Sequence, residues 1–436
     1  MKKTLCVSLS CLAAAAAQAV VPEVSDVNLS QDRATREVTI TYRLSAPAVV
    51  TLDIVTNGPN GWTSIGADKL SGVSSGSDVW RKVSGKDVYT ISWQPRDGWA
   101  DQRVRLEDGG IKAVVTAWAL DNTPDYMVVD ISPSATAESR RYYPSAAFLP
   151  GGLFGDDAYR TSKLVMRRIR AKNRPWTMGV AYEWGGPGAS QKAHPAVLTN
   201  DFYIGVFEVT QGQWKQLMSY NPSAYRGDLH PVDQVSYNEI RCGDGSNSTT
   251  YRGGNWPAPP NSGSFLDVLN SRTGLDFDLP SEAEWEFAGR AGQPESHWND
   301  GSEYRMTDAD VDANLPGCYK FNDGYRDVGT VAVGHAVVGS YAPNAWGVYD
   351  MHGNMFELCL DWYAADITGI GGAVNIDPAN GANALSTKAA GSNRVRRGGA
   401  WHCSAKDCRL VNRLEAGQGG RASQWGFRVV CRAGLR

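Results

Sequence analysis

From Trp176 onward the sequence is dense in Gly and aromatic residues, and strand, helix and loop signals alternate over short stretches. The chain of 436 residues holds 47 Gly and 15 Trp. Glycine frees the backbone for tight turns, whereas tryptophan brings a large surface that must be buried. Together they imply a loop-rich fold held by buried aromatics, not a helical bundle. Beyond residue 290 regular patterns become sparse, and irregular stretches inside a compact domain are usually functional or pinned by ligands.

Several elements in this half are nonetheless marked. Residues 202–209 (FYIGVFEV) read as a strand, and Thr210 can cap a helix over 211–219. Asn221-Pro222-Ser223 ends that helix, and a second helical region begins at Asp233. Residues 242–263 read as an inserted loop. Residues 265–273 resume a helix that stops at Gly274. Ser281 with Glu284 three residues on forms a capping box for the next.

Residues 24–132 differ in kind. Val38, Ile40, Tyr42 and Leu44 alternate with polar residues, as do Val50, Leu52 and Ile54. Tyr89, Ile91 and Trp93 follow, then Val114, Thr116 and Trp118, then Met127, Val129 and Ile131. Turn residues such as Asn57-Gly58 and Asp97-Gly98 separate them. About seven short strands in this space imply an immunoglobulin- or fibronectin-like sandwich. It carries no catalytic constellation and reads as a spacer or interaction domain.

The N-terminus reads as a signal peptide over residues 1–19. Lys2 and Lys3 precede an apolar run from Leu5 to Ala16, and Ala17-Gln18-Ala19 is a small-residue cleavage site. The run is too short to span a bilayer and no later run is apolar enough, so no membrane association is expected after its removal. Export to a periplasm or the outside follows. Six cysteines then remain, all in the C-terminal half: Cys242, Cys318, Cys359, Cys403, Cys408 and Cys431. The net charge of −3 supplies no basic field, so nucleic acid is not an expected partner.

The search for chemistry converges on residues 396–409, RRGGAWHCSAKDCR. Cys403 and Cys408 can form a local disulfide, hold a soft metal such as Cu(I), or be two unrelated thiols. Glu357 and Asp361 lie in an apolar run and need a partner, either an Arg or a calcium ion. Asp308, Asp310, Asp312 and Asn314 start like a calcium-binding EF-hand loop. Ala313 and Tyr319 break that pattern, which leaves a solvated acidic loop. The six His are scattered without a His-x-x-x-His pair, which argues against a zinc hydrolase.

Residues 176–432 resemble the sulfatase-modifying-factor family, the formylglycine-generating enzymes. The motifs in order are FYIGVFEVTQGQW (202–214), NPS (221–223), PVDQVSY (231–237), DLPSEAEWEFAGRAG (278–292), NAWGVYDMHGNMFELCLDW (344–362), RVRRGGAW (394–401) and GFR (426–428). The resemblance implies an α+β fold related to C-type lectins. It divides the chain into an immunoglobulin-like part over 20–135, a linker over 136–175 and a family domain over 176–436. Cys403 and Cys408 would be the catalytic pair, holding Cu(I) and oxidising a cysteine of a substrate protein to formylglycine with molecular oxygen. Asn314, Leu315, Asp323 and Tyr325 would form one structural calcium site, and His352, Gly353, Met355 and Glu357 a second. Two departures point the other way: Ala400 replaces a family Ser, and Gly417 to Arg421 replace a Thr-Pro-Asp segment. The alternative they favour is a non-catalytic lectin-like domain that binds a protein or glycan over residues 400–425.

Overall fold

The computed structural model describes residues 21–100, 109–180, 192–243, 258–293, 317, 334–364, 374–375 and 393–432. The N-terminal strands are β1 (Val24–Gln31), β2 (Val38–Leu44), β3 (Ala48–Gly58), β4 (Gly61–Ser64), β5 (Lys82–Val83), β6 (Tyr89–Trp93) and β7 (Ile111–Trp118). One sheet runs β1-β2-β6, and in the other β3 pairs with β4, β5 and β7. Val38, Ile40 and Tyr42 share a core with Val50, Leu52, Ile54, Ile91 and Trp93, as their alternation requires.

Strand β7 shows the opposite face from the one its sequence suggests. Ile111, Ala113, Val115 and Ala117 face this core, while Val114 is exposed. Both faces of the strand carry apolar residues, so alternation alone leaves the face open, and pairing with β3 sets it. Trp118 then points away, donates from Nε1 to Thr51 Oγ1 at 2.9 Å, and packs on the second core.

The rest of the chain supplies β8 (Tyr126–Asp130), β9 (Arg140–Tyr143), β10 (Lys163–Ile169), β11 (Arg174–Met178), β12 (His194–Leu198), β13 (Phe202–Gly205), α1 (Gln211–Leu217), α2 (Phe265–Thr273), β14 (Phe277–Asp278), α3 (Glu282–Arg290), β15 (Phe356–Trp362), β16 (Val374–Asn375), β17 (Asn393–Arg397), β18 (Leu414–Gly417), β19 (Trp425–Gly426) and β20 (Val430–Cys431). A six-stranded sheet runs β14-β20-β13-β10-β8-β9, and a four-stranded one runs β18-β17-β15-β19. Strands β11, β12 and β16 make a third. The content is α+β. None of the described helices is long and apolar enough to cross a membrane.

The six-stranded sheet runs across the expected boundary at residue 135 and through the stretch 136–175 expected as a linker. Strand β8, read with the first region, sits inside the six-stranded sheet, and β9 and β10 occupy the stretch read as a linker. The reason is in β8 itself. Met127 and Val129 enter one core while Tyr126 and Val128 enter another, so the strand is buried on both faces. The two regions also touch directly. The Tyr142 N–H donates to the Trp80 carbonyl at 2.8 Å, and Val49 of β3 joins the C-terminal core.

Helix starts follow the caps. Thr210 and Gln213 form a capping box on α1, and Ser281 and Glu284 form one on α3. The helical region expected from Asp233 is instead one π-helical turn, Asn238–Cys242. Its local start is Ser236, whose Oγ accepts from the Glu239 N–H while the Glu239 carboxylate accepts from the Ser236 N–H. Asp233 is committed elsewhere, as described below.

Helix α3 is buried along its whole length, although its sequence EAEWEFAGR carries three carboxylates. Glu282 is held by Arg413 at 2.5 and 2.7 Å, and Glu284 by Arg432 at 2.6 and 2.8 Å. Glu286 meets both Arg290 and Arg397. The helix also supplies Trp285, whose Nε1 donates to Glu357 Oε2 at 2.8 Å. Arg428 binds both oxygens of Glu357, at 2.5 and 2.6 Å. Two further buried acids, Glu208 and Asp350, lie close to this pair. Burial pushes Glu208 well up, and pushes Asp350 up to about 6. One guanidinium faces three carboxylates, so protons offset the excess negative charge.

Asp361 is the remaining buried acid of β15. Its Oδ2 accepts from the Glu282 N–H at 2.7 Å, at the start of α3. Burial pushes its carboxyl up to about 7, and Glu282 adds to the effect.

Two outcomes are expected. Arg428→Met leaves Glu357 buried without its cation and should cost about 3–5 kcal/mol in urea denaturation, the usual penalty for breaking a buried pair. For Asp361 the folded state holds a proton that the unfolded state releases near 3.8, so its contribution is complete below that pH. It is lost as pH rises through about 7. Asp361→Asn should therefore flatten the fall in stability across this window, read from denaturation midpoints at several pH values.

Candidate functional site

Strand β17 delivers Arg397 into the core and then turns through Gly398 (φ 90°) and Gly399 (φ 77°). Gly399 is required twice over. Its φ disfavours other residues, and a Cβ there would lie 2.6 Å from both Cα and Sγ of Cys408. The chain then brings both cysteines to one carbonyl, one through its backbone and the other through its thiol. The Cys403 N–H donates to the Ala400 carbonyl oxygen at 2.8 Å, and Cys408 Sγ lies 3.9 Å from the same oxygen. A 3₁₀ turn, Ala405–Cys408, joins them, and the Ser404 hydroxyl donates to Asp407 at 2.6 Å beside it.

Residues 352–354 cradle this loop. His352 Nδ1 lies 3.0 Å from the Cys408 carbonyl, the Gly353 N–H donates to Gly398 O at 2.7 Å, and the Trp401 N–H donates to Asn354 O at 3.0 Å. No two of the described cysteines are joined by a disulfide. Cys408 is fully buried, whereas Cys403 is partly exposed. The floor beside them is apolar: Met355, Phe356, Ala400 and Trp401, with Tyr225, Tyr341, Leu414 and Trp425 around it.

A cation borders the Cys403 thiol. The Arg396 guanidinium lies 4.2 Å from the Phe356 ring centre and 4.9 Å from that of Trp425, with Nε donating to Glu415 O at 3.1 Å. Burial pushes the Cys403 thiol up to about 11, and Arg396 acts against this. His402 Nε2 is 4.0 Å from Cys403 Sγ. Burial, and then Arg396, pull the His402 imidazole below its ordinary value.

A second group joins the same rim. Tyr225 stands edge-on to Trp401 at 5.6 Å and to His335 at 5.5 Å. His335 Nε2 lies 2.9 Å from the buried Asp233 carboxylate, and His230 Nδ1 lies 3.2 Å from His335 Nδ1. The sequence reading missed this set because its members, 105 residues apart at the extremes, lie on different loops. Arg396 and His402 were legible as part of the basic, aromatic run, but their neighbours were not.

The expected site residues fall into three groups. Cys403 and Cys408 lie at the two ends of one turn, with the Cys403 N–H and the Cys408 Sγ on the Ala400 carbonyl. Asn314, Leu315, Asp323 and Tyr325 lie outside the described residues. His352, Gly353, Met355 and Glu357 are assembled under the cysteine loop, but the two oxygens of Glu357 are held by Arg428 and Trp285. Of the two partners left open for that carboxylate, the structure shows the arginine. Glu357 therefore does not fit as a calcium ligand.

Residues 135–433 match the sulfatase-modifying factor enzyme 1-like domain, and the chain belongs to that family. It is 29% identical over 196 residues to the formylglycine-generating enzyme of Thermomonospora curvata, covering 41% of this chain and 61% of that enzyme. It is 25% identical over 260 residues to the chaperone protein LppX of Paenibacillus barcinonensis, covering 54% of this chain and 81% of that protein. Among solved structures, PvdO from Pseudomonas aeruginosa matches at 22% identity and a TM-score of 0.46, covering 62% of this chain and 95% of that one.

The site chemistry has a direct consequence. A neutral thiol reacts slowly, so alkylation of Cys403 by iodoacetamide should be slow at pH 7 and accelerate toward pH 11. Arg396→Gln should slow it further, because the guanidinium favours the thiolate. Cys408 should stay unlabelled until the protein is denatured. Peptide mass mapping of the labelled protein reads all three.

Proposed function

We propose that this chain is a formylglycine-generating-type oxidase acting on a cysteine of a substrate protein. The observation that carries the reading is that one tight turn brings Cys403, through its N–H, and Cys408, through its Sγ, to the same Ala400 carbonyl, beside an apolar floor. Two sulfurs in an apolar setting fit Cu(I), which favours soft donors and low coordination number. Cys403 and Cys408 would hold it, and once bound it supplies the redox chemistry toward oxygen. The protein's own contribution is positional. Gly398 and Gly399 bring the loop against α3, residues 352–354 fix its backbone, and the rings of Phe356, Trp401 and Trp425 exclude water. Arg396 favours the ionised form of Cys403.

The wider setting belongs to the same proposal. Residues 1–19 act as a removable signal, so the protein works in a periplasm or outside the cell. The N-terminal sheets form an immunoglobulin-like module and the following domain a C-type-lectin-like one. Structural calcium, if bound, is held by the segment carrying Asn314, Leu315, Asp323 and Tyr325.

A second reading is a non-catalytic binding domain for a protein or glycan. It is favoured by Ala400, whose methyl is fully buried where the family enzymes place a hydroxyl. It is favoured also by the chaperone relative, 81% of whose length is matched.

Titration of the reduced protein with Cu(I) against a competing chelator separates the two. The oxidase reading requires tight, stoichiometric binding in wild type and its loss in both Cys403→Ala and Cys408→Ala. Binding no tighter in wild type than in the variants sinks it. Oxidation of a Cys-x-Pro-x-Arg peptide by the copper-loaded protein then tests the reaction.

A further inference from the structure

The Asp233, His335 and His230 side chains form a directed hydrogen-bond chain that the proposed copper chemistry does not use. Asp233 is fully buried. Its Oδ1 accepts from the Ala224 N–H at 2.8 Å, and its Oδ2 accepts from the Tyr225 N–H at 3.4 Å and from His335 Nε2 at 2.9 Å. A carboxylate only accepts, so His335 Nε2 carries a proton. In the neutral ring this leaves His335 Nδ1 as an acceptor.

His230 Nδ1 faces two groups, His335 Nδ1 at 3.2 Å and the His335 carbonyl oxygen at 3.1 Å. The carbonyl can only accept, so His230 Nδ1 must be the donor. Both contacts demand the same tautomer. The neutral His230 ring therefore has its lone pair on Nε2, on a half-buried ring at the rim of the site.

Gly227 packs closely against this ring. The three atoms nearest to a Cβ built there all belong to His230: Cδ2 at 2.4 Å, Nε2 at 3.3 Å and Cγ at 3.4 Å. Its φ lies outside the left-handed region, so the backbone does not demand glycine. The close approach of the ring's Cδ2 does.

We propose that His230 is a general base, whose Nε2 removes the proton from a thiol of a bound polypeptide, with Asp233 and His335 as positioning residues. The ligand S–H bond breaks, its electron pair stays on sulfur, and the proton moves to Nε2. The imidazolium then passes its Nδ1 proton to His335 Nδ1, so the positive charge comes to rest beside the Asp233 carboxylate. The thiol as substrate rests on the oxidase reading, but the base does not. Burial, and then His335, pull the His230 imidazole below its ordinary value, which keeps it in the basic form at neutral pH, while Asp233 acts in the opposite sense. On the adjoining turn Asp228 is paired with Lys215. Tyr225 borders the chain on its other side.

The test uses 5-nitrobenzisoxazole, a flat probe that opens when a base takes its ring C–H proton. The C–H pair completes a nitrile, the N–O bond breaks, and its electron pair stays on oxygen as a coloured phenolate of the same molecule. The full chain should open it faster than free imidazole at equal concentration and pH. His230→Gln should abolish the excess rate, and Gly227→Leu should reduce it by displacing the ring. Asp233→Asn should move the pH midpoint of the rate downward with near-ultraviolet circular dichroism unchanged, a shift that lost packing alone does not produce. Unchanged rates in His230→Gln overturn the proposal. So does a ¹⁵N NMR spectrum of wild type showing neutral His230 protonated at Nε2, a readout that needs no variant to fold. Repeating the assay in Cys403→Ala separates the two readings: copper binding is lost there, while probe opening persists.

Discussion

Helix α3 is the constraint on which the rest of the domain depends. A nine-residue helix with three glutamates is buried along its entire length, and this is tolerable only because arginines from distant segments reach it. Arg397 comes from β17, Arg413 from the stretch after the cysteine turn, and Arg432 from beyond β20. Apart from Arg290, which lies on the helix itself, each partner arrives from the last forty or so residues, so the C-terminal segment must wrap the helix for its charges to be compensated. Directional, bidentate pairs of this kind define one register where apolar contacts alone would tolerate several.

The candidate site inherits its geometry from that wrapping. Arg397 is anchored on Glu286, and the two glycines that follow turn the chain directly over Trp285, whose ring would lie 3.1 Å from a Cβ on Gly398. Trp285 in turn is tied to Glu357, and Glu357 to Arg428. The loop holding Cys403 and Cys408 thus sits on a buried charged scaffold rather than on a mobile surface. The same scaffold explains why residues 352–357, read as a cation site, instead brace the thiol loop: their carboxylate is already engaged by a cation of the protein.

How much could be read beforehand follows from how local each signal is. The capping boxes at Thr210 and Ser281 involve neighbours three residues apart, and both appear as read. The alternating strands β2, β3 and β6 bury the faces they announce. Strand β7 does not, because it is apolar on both faces and only its partner sets the register. Strand β8 was grouped with the first region because its alternation looked half-buried, whereas its intervening residues Tyr126 and Val128 face a second core. The turn after Asp233 was read as helix because nothing nearby shows that its carboxylate is held by His335.

The sequence by itself determined the family, the α+β character, the helix caps and the spacing that puts two cysteines on one turn, because each is carried by residues close in the chain. Tertiary structure decided the partners: Arg428 rather than a metal for Glu357, the six-stranded sheet that absorbs β8 to β10, and the joining of Asp233, His335 and His230 into one chain. These depend on which distant segments pack together. A hydrogen bond or ion pair between residues a hundred positions apart leaves no periodic trace in either segment, so only the folded arrangement reveals it.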